Sequence, residues 1–117
     1  MNNFSIASKT INDIAVFMPK GYMDDLGVES LEHEWERFLD SGLRKLIINF
    51  SNIQYINSIG ASILTGIVQK TSEHKGYLCF TNMKKVHLDV FKILGLTKHV
   101  KVFREEKEAL NFLKNVS

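Results

Sequence analysis

The side chains able to do chemistry are few, and their spacing excludes most kinds of it. The four histidines, His33, His74, His87 and His99, are scattered, with no spacing suited to a metal. Neither a Cys-x-x-Cys nor a His-Glu-x-x-His pattern occurs, so no metal or redox centre is expected. Cys79 is the single cysteine, within "YLCF", and cannot form an intrachain disulfide. Its neighbours read as a buried strand, and a lone cysteine fits a reducing compartment. Gly60 and Gly66 make no phosphate-cradling loop, because no Gly-Lys-Ser/Thr follows, and "NSIGAS" is not a Gly-x-Ser-x-Gly elbow. Paired carboxylates occur only at Asp24-Asp25 and Glu105-Glu106, where helix starts favour negative charge. No catalytic constellation and no cofactor motif results, and the chain reads as a non-enzyme.

What remains is Ser58 in "YINSIG", residues 55–60. Tyr55 and Ile56 read as core, Gly60 as a crowded backbone position, and Asn57 and Ser58 as the polar start of a helix. Ser58 reads as an N-cap whose hydroxyl accepts from a free backbone N–H. The same place suits a phosphate, because unpaired N–H groups and the helix dipole face it. A phosphoserine there would add about −1.5 to −2 charges. The two roles are compatible. As a nucleophile, Ser58 lacks a recognisable base and orienting group.

The elements that must position Ser58 follow from periodicity. Phe4, Ile6 and Ser8 alternate with Ser5, Ala7 and Lys9 as in a half-buried strand. Ile14, Val16 and Met18 make a second strand, paired with the first through a turn at Asn12-Asp13, and Pro19 is expected to stop the pairing. Val28, Leu31, Trp35, Phe38 and Leu39 form one helical stripe, started by Asp24-Asp25 and ended at Gly42 by a left-handed cap. "LRKLIINF" has the unbroken apolar run of a strand buried on both faces. Ile59, Ile63, Leu64, Ile67 and Val68 stripe a second helix, and Gly60, Ala61, Ser62 and Gly66 let it approach its sheet. "HKGYLCFTNM" is a strand, Val86, Val90, Phe91 and Leu94 a short helix ending at Gly95, and "HVKVF" a strand. Glu105-Glu106 open a last helix with Ala109, Leu110, Leu113 and Val116 inward.

The order β-β-α-β-α-β-α-β-α implies an α/β fold. A mixed sheet of about five strands is covered by about four helices, since parallel strands need crossovers. At 117 residues the chain reads as a single domain over 1–117, without internal repeats. Its 44% apolar and 24% charged residues are ordinary for a globular protein. A net charge of +2 gives no argument for nucleic acid, although residues 1–60 carry five Lys/Arg against eight Asp/Glu and 61–117 ten against five. No signal-peptide pattern and no run long enough to span a membrane is present, so a cytoplasmic location is expected.

These residues resemble the STAS-domain proteins of the bacterial anti-sigma factor antagonist type. "NFSNIQYINSIGASILTGIVQKTSEHKG" is similar to the family stretch in which Asp-Ser-Ser-Gly is followed by a small-residue helix. "GYMDD" resembles the family's Gly-Glu-Leu-Asp after the second strand. "FKILGLTKHVKVFREEKEALNFL" looks like its C-terminal helix, strand and helix. The resemblance covers nearly the whole chain and implies the fold read above. It also implies a protein-binding switch. The unphosphorylated antagonist binds an anti-sigma factor, usually a serine kinase, and frees the sigma factor. Phosphorylation of the motif's first serine, which aligns with Ser58, then releases it, and a cognate phosphatase resets it. Asp24 aligns with the aspartate on the facing loop, and the implied partner surface is Asp24, Asn57, Ser58, Ile59 and Gly60. Asn57 stands where the family usually has Asp, and Ile59 where it usually has Ser. The alternative is a structural STAS subunit of a larger stress-sensing assembly, with other STAS proteins as partners.

Overall fold

The computed structural model describes residues 4–116. Its strands are β1 (Ser5–Ile11), β2 (Ile14–Met23), β3 (Lys45–Asn49), β4 (Asn52–Ile56), β5 (Tyr77–Thr81) and β6 (Lys101–Phe103). Its α-helices are α1 (Asp25–Asp40), α2 (Ser58–Glu73), α3 (Lys85–Ile93) and α4 (Glu106–Lys114), with a 3-10 turn at Leu96–Lys98. The mixed α/β architecture matches expectation, with one strand more than read from the sequence.

The sheet runs β1-β2-β3-β5-β6. β1 and β2 are antiparallel about the Asn12-Asp13 turn, where Asn12 takes φ 55°; the other pairings are parallel. The extra strand, β4, pairs with the far half of β2, beyond the end of β3. Pro19 therefore does not end β2. It pairs with Ile6 on the β1 side, and on the other side it falls between Phe17, the last partner of β3, and Lys20, the first of β4. That gap on the parallel side is where a residue without an N–H is tolerated.

Alternate residues of the central strands feed two cores. Ala15, Phe17, Leu46, Ile48, Leu78 and Phe80 point to the face covered by α1, α2 and α3. Ile14, Val16, Ile47 and Cys79 point to the other, where Ala109 and Leu113 of α4 cover them. This explains the uninterrupted apolar run of β3. Trp35 is fully buried in the larger core, and Phe38, partly buried, meets Phe17 edge-on at 5.1 Å. α1 ends as expected: Gly42 has φ 99°, and the N–H groups of Gly42 and Leu43 reach back to the carbonyls of Leu39 and Phe38.

The third helix buries only one, Phe91, of the four apolar residues read for it. His87 and Phe91 are its buried residues, while Val86, Val90 and Leu94 face solvent. Phe91 sits 6.0 Å from the Phe50 ring and 5.7 Å from that of Phe80. That aromatic cluster fixes the rotation of the helix.

Candidate functional site

Ser58 lies where β2 and β4 end side by side. Their parallel register pairs Tyr22 with Tyr55 and Met23 with Ile56, so α1 and α2 leave the sheet as neighbours at the carboxyl ends of their strands. Open α/β sheets place binding sites at such edges. The Asn57 N–H bonds to the Met23 carbonyl at 3.1 Å and ties the second helix start to the first.

The cap of α2 is Asn57, not Ser58. Its Oδ1 accepts from the Gly60 N–H at 2.7 Å, and Ser58 is the first helical residue, its side chain exposed. Among the described residues nothing engages the Ser58 hydroxyl. Asp24 caps α1 in the same manner, accepting from the Gly27 N–H at 3.0 Å. Both glycines are required by close approach. A Cβ on Gly60 would collide with the Met23 carbonyl oxygen, and one on Gly27 would lie 2.8 Å from that of Tyr22. Gly66, by contrast, has open space where its side chain would be, so the expectation that it serves close packing is corrected.

The two helix starts are also alike in sequence. "YMDDLG" at 22–27 and "YINSIG" at 55–60 share tyrosine, an Asx cap, an aliphatic residue and glycine at matching places. A chain without long repeats thus contains a short one, which sequence reading missed. Its consequence is a surface. Tyr22, Leu26, Tyr55 and Ile59 are each between 49 and 67% exposed, and the two tyrosine rings meet edge-on at 6.0 Å. Tyr55, expected inside, is therefore outside, and Ile59, read both in the helical stripe and on the partner surface, is outside too. β4 turns Ile53 to the core and Tyr55 outward, and α2 buries Gly60, Ala61 and Leu64 instead of Ile59. Of the five sequence-derived site residues, Ser58 and Ile59 are exposed here, Asp24 and Asn57 are half-buried caps, and Gly60 is buried against the Met23 carbonyl and so offers a partner no surface; Tyr22, Leu26 and Tyr55 join the exposed ones.

The first turn of α2 contains no acidic residue, so its positive end is uncompensated apart from the Asn57 amide. Lys70, near the other end of α2, reaches Glu36 at 3.3 Å and Glu32 at 3.8 Å and clamps α2 to α1. A cleft of about 420 Å³ lies away from Ser58, beside the start of β5, lined by Tyr77, Cys79, Lys98 and Lys101 among others. That lining includes none of Tyr22, Leu26, Tyr55, Ser58 or Ile59. Burial pushes the Cys79 thiol up to about 12, offset slightly by Lys101, which leaves it unreactive. Among the described residues no three His, Cys, Asp or Glu side chains converge as a metal site. Nor is any helix long and apolar enough to cross a membrane.

Comparison with known proteins agrees with this geometry. The family model of the STAS domain matches residues 5–109. A Thermotoga neapolitana protein named as an anti-sigma factor antagonist is 24% identical over 106 residues, covering 87% of this chain and 91% of its own. The crystal structure of an anti-sigma factor antagonist from Mycobacterium paratuberculosis superposes with a TM-score of 0.84 at 17% identity, covering 97% of this chain and 96% of that one. The Bacillus cell fate determinant SpoIIAA in its phosphorylated form superposes at 0.74 with 19% identity, over 93% and 99%.

Proposed function

The chain belongs to the STAS-domain family, and on that premise we propose that it is an anti-sigma factor antagonist switched by phosphorylation of Ser58. Unphosphorylated, it offers Tyr22, Leu26, Tyr55 and Ile59 as an apolar seat for a cytoplasmic anti-sigma factor, itself a serine kinase, and so frees a sigma factor. The kinase then transfers a phosphoryl group to the Ser58 hydroxyl, and a phosphatase reverses the step. The chain itself performs no catalysis in this cycle.

The carrying observation is that Asn57 takes the capping bond and leaves the Ser58 side chain exposed beside Ile59 of the patch. A phosphate there adds charge that a seated partner must desolvate, close to the Asp24 carboxylate on the neighbouring helix start. Unpaired burial and like-charge contact each cost several kcal/mol in an interface. Even about 3 kcal/mol weakens binding more than a hundredfold. Names of relatives support the antagonist role, and SpoIIAA is a relative in fold with a phosphorylated form.

The test is titration of three forms against the anti-sigma factor at one salt concentration. Unmodified protein and Ser58→Ala should bind alike, and kinase-phosphorylated protein at least about a hundredfold more weakly. Equal affinity of the phosphorylated form overturns the switch. Absence of binding by every form overturns the partner.

A further inference from the structure

The third helix carries more exposed apolar surface than its own fold uses. Val86, Val90, Ile93 and Leu94 stand at i, i+4, i+7 and i+8, one stripe, and are 45 to 84% exposed. Contiguous apolar surface of this kind marks an interaction site, and the spacing is that of a helix read by a partner. The stripe is bracketed by Lys84, Lys85 and Lys92, against a single acid in the helix, Asp89.

A complementary surface exists on the same chain. The patch of Tyr22, Leu26, Tyr55 and Ile59 is apolar too, and its acidic neighbours Asp24 and Glu29 outnumber Lys20, two residues before Tyr22 on the same exposed strand face. Both surfaces are open in the single chain, so neither covers the other. Stripe against stripe would set Lys84, Lys85 and Lys92 against their own copies. Patch against patch would do the same for Asp24 and Glu29. Stripe against patch pairs apolar with apolar and cation with anion. We propose that copies of this protein associate head to tail, the exposed stripe of α3 in one copy seating on the Tyr22–Leu26–Tyr55–Ile59 patch of the next.

The contact is heterologous, so it propagates into chains or a ring instead of stopping at a symmetric dimer. With about four side chains from each surface it falls short of a standard interface, and its dissociation constant is on the order of 10–100 μM. It also covers the surroundings of Ser58. A phosphate on Ser58, if the proposed switch operates, would face the α3 lysines of the next copy. The modification that ejects the anti-sigma factor would then strengthen self-association.

Sedimentation velocity at low salt, from about 10 μM to 1 mM, tests this, since that range brackets the expected constant. The wild type should grow past dimer as concentration rises, and less so at high salt. Two double variants, Val90→Ser/Ile93→Ser and Leu26→Ser/Ile59→Ser, should each stay monomeric. Their equimolar mixture should form a one-to-one dimer and nothing larger, because one live stripe meets one live patch. Ser58→Asp should tighten the self-association of the otherwise wild-type chain about threefold or more, through the added charge. Should a double variant melt below wild type, Lys85→Glu/Lys92→Glu on the exposed rim replaces the stripe variant, and it too must abolish association.

A wild type that stays monomeric throughout overturns the proposal. So does a patch variant that still associates alone, or a mixture that does not pair. Pelleting of the wild type, but not the stripe variant, with vesicles containing about 30% anionic lipid and no self-association would assign α3 to a lipid surface instead. None of these measurements contains the anti-sigma factor, so their failure leaves the Ser58 switch standing, and the reverse holds.

Discussion

The same substitution at two glycines of α2 should have opposite signs. In a helix interior, Gly→Ala ordinarily stabilises by about 0.5–1 kcal/mol. At Gly66 nothing lies within 4 Å of the added carbon, so Gly66→Ala should show that gain. At Gly60 the added carbon would overlap the Met23 carbonyl oxygen and stand 3.0 Å from the carbonyl carbon and 3.3 Å from Asn57 Oδ1. Met23 is held in β2 by pairing with β4, so α2 must move instead. Moving it weakens the Asn57 cap and the Asn57–Met23 bond, about 1 kcal/mol each, beyond the overpacking itself at about 1–3 kcal/mol. After the propensity gain, Gly60→Ala should lose about 2–4 kcal/mol, on the order of 10 °C in melting temperature for a domain of this size. Urea unfolding of both variants reads the difference. If Gly60→Ala equals or exceeds wild type in stability, the close approach of helix to strand is not what demands glycine there.

Truncating Trp35 to Ala should cost about 3–5 kcal/mol, and Phe38→Ala, only partly buried, less; thermal melts within a degree or two of wild type would place that helix face wrongly. Cys79 should resist thiol reagents at pH 8 in the native protein and label at the rate of unfolding, and stoichiometric labelling within seconds would contradict its burial. Burial, and secondarily the charge of Lys84, lowers the His87 pKa, so the unfolded chain takes up a proton that the fold refuses. Stability should be full above pH about 6.5 and decline as pH falls through that value. His87→Leu should flatten the decline, and an unchanged slope would assign it to other groups.

What was legible in the sequence was whatever is decided locally. Asn12-Asp13 is a two-residue turn, Gly42 a left-handed cap, and Glu105-Glu106 the start of α4. Each depends on residues within one turn of the chain. β4 was not legible because its partner is β2, some thirty residues earlier, and a bulge at Gly21/Tyr22 blurs its alternation. The face of α3 was ambiguous for a different reason. Val86, Leu88, Val90, Phe91, Ile93 and Leu94 surround a nine-residue helix almost completely. Periodicity cannot choose among them, and the Phe50 and Phe80 rings do. Asn57 and Ser58 are equally competent caps. The choice falls to Asn57 because its N–H is held by Met23 and Gly60 fits beneath, both tertiary facts. The outward tyrosines did leave a signal, the echo of "YMDDLG" in "YINSIG", but at six residues it is far shorter than the periods that mark repeat proteins.

That echo bears on why an asparagine stands at 57. Two helix N-termini emerging from adjacent strands, about 4.8 Å apart, bring two positive dipole ends together. Asp24 answers one of them with a full charge, while Asn57 gives the other the same capping bond with none. The start of α2 is thus the end still short of negative charge, and Ser58 is its first residue. An aspartate at 57 would fill that deficit permanently and would then oppose a phosphate one residue away. With asparagine the deficit stays open, and an incoming phosphate meets one neighbouring carboxylate, Asp24, instead of two. If Ser58 is phosphorylated as proposed, the fold therefore has no need to rearrange, and the effect of the charge falls on whatever sits over the patch.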